Sequence, residues 1–270
     1  MSNCTVNGIR IGPESPVRLA GVINCSHESF FPGSYVPTGN VRERAFQMID
    51  QGAEIIDIGA RSTAPGKPPV SELTEISRME KALCELDGSG ITVSVDTAVP
   101  SVLEACLKHD IHLVNDIGGL SNQQFGKILS DSGLPAILMA SRSRPGDACG
   151  FDETMNALAA IIRRCGDLHI HEYILDPAIG LWTPDRTIEM DWELSGRFKE
   201  FTSFKRPLLA AVSRKTFLGA YAGQPPEDRL PATLGLTALL IYAGADLVRC
   251  HDVKETADVI RVVSQISGRF

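Results

Sequence analysis

Several apolar runs in this chain end in side chains that can hold a proton, an anion or a metal. The most informative is Leu247-Val248 leading into Arg249-Cys250-His251-Asp252, where a cation, an imidazole and a carboxylate cluster at the end of a strand-like segment. Arg suits planar, two-point recognition of phosphate. A neighbouring His suits a metal or a phosphate oxygen. Similar clusters end other runs: Asn24-Cys25-Ser26-His27-Glu28, Asp57 through Arg61-Ser62-Thr63, Asp96-Thr97, Asn115-Asp116, Asp176-Pro177 and Ser213-Arg214-Lys215. Asp96, Asn115, Asp176 and Lys215 offer the donors and acceptors that read a flat heterocycle with an amide-amidine edge. Arg249, His251, Asn24 and the Ser62 and Thr63 hydroxyls suit a phosphate group, with or without Mg²⁺. Each residue also has a structural reading. Asp96 can cap a helix, Asp176-Pro177 can form a turn, and Ser213 can cap a short helix over Arg214–Ala220. Taken together, seven polar run ends make a mouth too polar to be filler.

The elements that must position them are strands alternating with helices. Strand-like runs are Leu19–Asn24, Glu54–Gly59, Ile91–Asp96, His112–Asp116, Ala136–Ala140, Glu172–Asp176, Leu208–Ser213 and Asp246–Arg249. Short, continuous apolar runs are what parallel strands covered on both faces look like. Amphipathic helical patterns lie between them at Val41–Gln51, Ser71–Glu85, Pro100–His109, Met155–Arg164 and Asp252–Ile266, with Ser71 as a cap. Eight strand-helix units predict an α/β fold of the (β/α)8 TIM-barrel type, whose site lies at the strands' C-terminal ends. No G-x-G-x-x-G follows the first strand, against a dinucleotide fold. Thr5-Val6, Asn7-Gly8 and Ile9-Arg10-Ile11 read as a hairpin able to plug the barrel's bottom. The division is therefore a hairpin over residues 1–16 and one barrel domain over 17–270.

Bulk composition sets limits. The 270 residues carry net charge −7, which argues against a nucleic-acid-coating protein but permits a local basic pocket. The seven cysteines are scattered with no C-x-x-C, as in reduced cytosolic thiols; Cys25 and Cys250 read as core fillers. No signal peptide is visible, and the most apolar window, Leu234–Ala245, is too short for a membrane span. A soluble cytoplasmic protein is expected. There is no Ser-His-Asp order, H-E-x-x-H or Walker loop, so no activated nucleophile is evident.

The set of motifs resembles the pterin-binding enzymes, specifically the dihydropteroate synthase family. The matching stretches are Gly21–Asn24, Ile56–Gly59 through Ser62-Thr63, Ser94–Thr97, Asn115–Ile117, Leu175–Pro177, Ser213–Lys215 and Arg249–Val253, in the family's order. The resemblance implies a transferase that joins a dihydropterin-CH2 pyrophosphate to p-aminobenzoate or a related arylamine, releasing pyrophosphate with Mg²⁺ assisting. It implies pterin binding by Asp96, Asn115, Asp176, Lys215 and Arg249, with Asp96, Lys215 and Arg249 catalytic. Pyrophosphate would meet Asn24, Arg61, Ser62, Thr63, Arg249 and His251, with Asn24 at the metal. Thr216 and Arg61 would face the acceptor. The resemblance also implies a homodimer through outer barrel helices; the apolar helix Thr233–Tyr242 is read first as core.

The first two loops depart from the family. His27 and Glu28 replace a usual Pro and Asp, and Ala64 replaces a usual Arg, while an arginine appears earlier at Arg61. Arg61 either restores charge at the anion and acceptor side, where a ribosylated aminobenzene phosphate would use it, or pairs with Glu28. After the sixth strand the usual Gly-Phe-x-Lys reads Gly180-Leu181-Trp182-Thr183. Two other readings stand beside the synthase: a methyl-pterin-dependent methyltransferase module and a non-catalytic pterin-binding homologue.

Overall fold

A computed structural model describes residues 2–26, 35–61 and 70–269. The chain opens with an antiparallel hairpin, β1 (Cys4–Val6) and β2 (Ile9–Ile11), with Cys4 opposite Ile11 and Val6 opposite Ile9. Its two-residue turn places Asn7 at φ 47° and Gly8 at φ 81°. Both angles are left-handed, as the Asn-Gly hairpin turn requires.

Eight strands follow: β3 (Arg18–Asn24), β4 (Ile55–Gly59), β5 (Val93–Asp96), β6 (Leu113–Asp116), β7 (Ala136–Met139), β8 (Tyr173–Asp176), β9 (Leu209–Ala210) and β10 (Leu247–Cys250). They form one parallel sheet in the order β8-β7-β6-β5-β4-β3-β10-β9. A bridge between Leu175 and Leu208 brings the two edges together, and Leu175 N–H donates to Pro207 O at 2.9 Å. This is the expected barrel. The Leu208–Ser213 run contracts to the two residues of β9 because the chain turns early into the Ser213-Arg214-Lys215 loop.

The helices α1 (Val41–Asp50), α2 (Glu72–Cys84), α3 (Pro100–Cys106), α4 (Gln123–Ser132), α5 (Gly150–Asp167), α6 (Ile188–Gly196), α7 (Thr216–Gly219), α8 (Leu230–Tyr242) and α9 (Val253–Ser267) alternate with the strands. Ser71 caps α2 by accepting Thr74 N–H at 3.2 Å. None of the described helices is long and apolar enough to cross a membrane.

Two apolar clusters divide the interior. The larger lies between strands and helices. The smaller joins Cys4, Val6 and Ile11 of the hairpin to Ala20, Ile55, Leu113, Ile137, Ile174, Leu209 and Leu247, the first inward layer of the barrel. The hairpin therefore seals the end where the strands begin. Burying Val6 and Ile11 stabilises the fold by about 2 kcal/mol each.

On α8, Thr233, Leu236, Thr237, Leu240 and Ile241 are buried, as the core reading requires. Its outer face nonetheless exposes Leu239 and Tyr242, and α9 exposes Val262 and Ile266. An all-apolar helix can serve both faces in this way.

Candidate active site

Side chains on one face of a strand repeat every second residue. Counting two residues up from the sealed apolar layer turns Ile55 into Asp57, Leu113 into Asn115, Ile174 into Asp176 and Leu247 into Arg249. The polar layer thus stands directly on the hydrophobic one. Strand register carries the level around the mouth. Asn24 pairs with Gly59, Gly59 with Asp96, and Asp96 with Asn115. Residues scattered over the sequence meet at one height because the barrel aligns their strand ends.

Arg249 is the hub. Its Nε donates to Asp57 Oδ2 at 2.5 Å and its Nη2 to Asp96 Oδ2 at 2.7 Å. Asn115 Nδ2 donates to the same Asp57 oxygen at 3.1 Å. Asp57 is 1% exposed, and its Oδ1 has no hydrogen-bond partner. Asp57 lies within the Ile56–Gly59 stretch, short of the run's polar end, so the run-end reading gives it no role. The signal was available: Asp57 stands two residues beyond Ile55, on the face that points inward.

Burial and mutual charge set the protonation states. Burial pushes Asp96 up to about 7, with Arg249 opposing and Asp57 reinforcing. Burial also raises Asp176, opposed by Lys215. Burial lowers Lys215 to about 8, with Asp176 holding it from falling further. Burial works against the Arg249 guanidinium, but Asp57 and Asp96 outweigh it and leave Arg249 above its ordinary value. Two groups that titrate near neutral pH thus flank a permanent cation, a pattern typical of functional sites.

Lys215 is held by the loop after β8. Its Nζ donates to Ile179 O and lies 4.9 Å from the Trp182 ring centroid. Gly180, at φ 141°, leaves room for the lysine stem, since a Cβ there would stand 3.0 Å from Lys215 Cδ. Asp191, wholly buried with Arg186, accepts Gly180 N–H at 2.8 Å and fixes that loop. Asp176 accepts Ala178 N–H at 2.8 Å, as its turn reading requires, and stands in the same polar layer as Asp57, Asn115 and Arg249. Trp182, noted in the sequence only as a departure, forms a wall beside the lysine.

Beside Arg249, Ser213 Oγ accepts the backbone N–H of His251 at 3.2 Å and lies 2.9 Å from His251 Nδ1. Burial, then the charge of Arg249, pushes the imidazole down to about 3, so it is neutral at pH 7. Ser213 therefore serves His251 and caps no helix; α7 begins at Thr216, which is exposed. Asp96 is likewise no cap, since α3 has Val99 at that position. Arg214 and Asp252 form a two-point pair at 2.8 and 2.7 Å that ties the two loops together. Arg214 has φ 55°, a strained angle for an arginine. Its N–H donates to Thr233 Oγ1 at 3.0 Å and its carbonyl accepts from Arg229 at 3.1 Å, which holds it there.

Arg61 pairs with Glu75, Nε to Oε2 at 2.6 Å, and Nη2 donates to Val70 O at 2.9 Å. Glu75 is buried and also accepts from Thr97 Oγ1 at 2.8 Å. A cavity of about 110 Å³ opens here, lined by Arg61, Glu75, Asp96, Thr97, Ile117 and Pro145 among others. Arg61 thus stands beside Asp96 with a partner of its own. Asn24 ends β3, half-buried, with Oδ1 3.6 Å from where a Gly59 Cβ would lie. His27, Glu28, Ser62, Thr63 and Ala64 lie outside the described residues. Cys25 and Cys250 are buried, and all seven cysteines are free, as expected of core fillers and reduced thiols.

Known proteins are similar to this chain over nearly its whole length. The family model described as "pterin binding enzyme" matches residues 20–251. The dihydropteroate synthase of Bacillus subtilis is 32% identical over 259 residues, covering 93% of this chain and 89% of the relative. That of Mycobacterium leprae is 30% identical over 267 residues, covering 92% and 93%. Among solved structures, Yersinia pestis dihydropteroate synthase in a sulfonamide complex superposes with TM-score 0.87 at 26% identity, covering 99% of both chains. The Coxiella burnetii enzyme in complex with pteroic acid gives 0.85 at 26% identity, covering 98% of both.

Proposed function

Because the chain belongs to the pterin-binding enzyme family, and within it to the dihydropteroate synthases, we propose that it condenses a 6-hydroxymethyl-dihydropterin pyrophosphate with p-aminobenzoate or a related arylamine. The C–O bond to pyrophosphate breaks, a C–N bond to the amine forms, and the amine loses a proton. The observation that carries the reading is Arg249 held between Asp57 and Asp96 at the height of Asn115. A flat pterin laid on that guanidinium meets Asp96, Asn115 and Asp176 at its edge.

As the CH2 carbon loses its leaving group, positive charge spreads into the ring, and the edge carboxylates stabilise it. Asp96 serves best ionised. Lys215 serves best protonated, donating to the ring beside Asp176. Neutral His251 and Arg249 face the pyrophosphate oxygens. Its supporting relatives are synthases, and a methyl-pterin would have no pyrophosphate for these groups, so methyl transfer is the weaker reading.

Mg²⁺ fits the donor set. Asn24 offers one hard, uncharged oxygen beside a glycine, and Mg²⁺ ordinarily takes few protein ligands when substrate phosphates supply the rest. It would neutralise charge on the departing pyrophosphate. Arg61, the loop carrying Ser62 and Thr63, and Thr216 are assigned to the anion and acceptor side. The cavity beside Arg61 supports that placement. A homodimer through the exposed Leu239, Tyr242, Val262 and Ile266 and a cytoplasmic location complete the proposal.

The test is pyrophosphate release from the dihydropterin pyrophosphate with Mg²⁺, using p-aminobenzoate and a ribosylated aminobenzene phosphate in parallel. Release with p-aminobenzoate establishes the synthase. Release only with the phosphorylated amine assigns Arg61 to acceptor choice. No release with either, while the pterin binds, overturns the proposal.

A further inference from the structure

Six of the seven cysteines are buried or half-buried, and Cys84 alone is exposed. It closes α2. Asp87 follows in the next turn, and His109 lies in the turn after α3. Both turns lead from a helix into the next strand, so they stand at the end of the barrel where strands begin. One donor atom from each of the three side chains lies within 4.8 Å of the other two. We propose that Cys84, Asp87 and His109 form a binding site for a thiophilic divalent cation of the Zn²⁺ class, separate from the catalytic mouth.

The donor set is sulfur, nitrogen and oxygen, the ligands of tetrahedral Zn²⁺, with the fourth position left to water. Mg²⁺ prefers hard oxygens and has no use for a thiolate, so the site discriminates against the ion of the mouth. The geometry is partly set beforehand. Asp87 Oδ1 accepts Asp110 N–H at 2.9 Å, and Oδ2 lies 2.8 Å from His109 Nδ1. The carboxylate and the imidazole are thus held together before an ion arrives. A hydrogen-bonded Asp-His link between two turns would need no thiol, and the exposed thiol is the feature that this simpler role leaves unused.

Binding displaces the Cys84 proton and replaces the Asp87–His109 contact with bonds to the ion. The ion would staple the connection entering β5 to that entering β6. Those strands carry Asp96 and Asn115, so the site would stiffen two of the pterin-reading strands from their opposite ends.

The test is a titration of the reduced, metal-stripped full chain with Co²⁺ as probe. One equivalent is expected to give the near-ultraviolet thiolate-to-cobalt charge-transfer band with visible bands of tetrahedral cobalt, both abolished by Zn²⁺ and untouched by Mg²⁺. Cys84→Ser should lose the charge-transfer band while Cys149→Ser keeps it, and His109→Gln should bind Co²⁺ more weakly by roughly 10-fold or more. Circular dichroism of each variant checks its folding. Absence of the band in the unaltered protein overturns the proposal, as does a band of full intensity in a folded Cys84→Ser. Should Cys84→Ser not fold, blocking the thiol of the intact protein with iodoacetamide must remove the band; survival of the band then overturns the site.

Discussion

Arg249 on β10 and Asp57 on β4 lie 192 residues apart in the chain, yet Nε and Oδ2 stand 2.5 Å apart on opposite sides of β3. The contact fixes the guanidinium plane, since Arg249 Nη2 is simultaneously bonded to Asp96 and Asn115 shares the Asp57 oxygen. The negative charge of Asp57 also raises the proton affinity of Asp96. Asp57 is therefore a positioning residue, and its removal should alter both geometry and protonation.

Asp57→Asn removes one source of the upward push on Asp96 and leaves Arg249 to pair with Asp96 alone. Both effects favour ionised Asp96. The acid limb of the kcat/KM profile for the pterin substrate, expected near pH 7, should move to lower pH in the variant, with a reduced plateau. An unmoved limb would confine Asp57 to a structural role.

Lys215, lowered to about 8 by burial, should set the alkaline limb. Pterin affinity should fall as pH rises through that value, because the charged donor is lost. Lys215→Ala should weaken pterin binding at pH 7.5 by roughly 100-fold, the loss of a charge-assisted hydrogen bond of about 2.7 kcal/mol. Calorimetric titration with the pterin checks both statements.

Asp252→Ala leaves the nearly buried Arg214 guanidinium without its carboxylate while Arg214 still holds a left-handed backbone. Breaking such a pair costs about 3 kcal/mol. A lower urea midpoint is expected. Catalysis should suffer too, because Ser213 and Lys215 flank Arg214, and the variant should show a raised KM for the pterin.

His251 is neutral in the fold, its proton affinity lowered from 6.5 to about 3. The unfolded chain takes up a proton below about pH 6.5 that the folded chain refuses, so this group's contribution is fully present above 6.5 and is lost as pH falls toward 3. His251→Asn should flatten the stability curve across that window, as read by urea unfolding at successive pH values. A curve of unchanged slope would mean that another group carries the acid sensitivity.

Much of the barrel was legible in the sequence because parallel strands buried on both faces leave continuous apolar runs, and because Asn-Gly permits few turns other than the hairpin. Asp96, Asn115, Asp176, Lys215, Arg249 and His251 were legible as polar ends of those runs. Strand register and the closure at Leu175 and Leu208 decided which of them meet. Partners were beyond the sequence. Arg61 had Glu28 as its foreseeable mate and was found on Glu75, which α2 turns inward beneath Thr97. Ser213 read as a cap and proved to hold His251, because two loops that are distant in the chain close over adjacent strands. Residue type and spacing determined which chemistry the chain carries. Only the closed barrel decided which charges face one another, since burial and proximity, absent from a linear sequence, set the proton affinities of Asp96, Lys215 and His251.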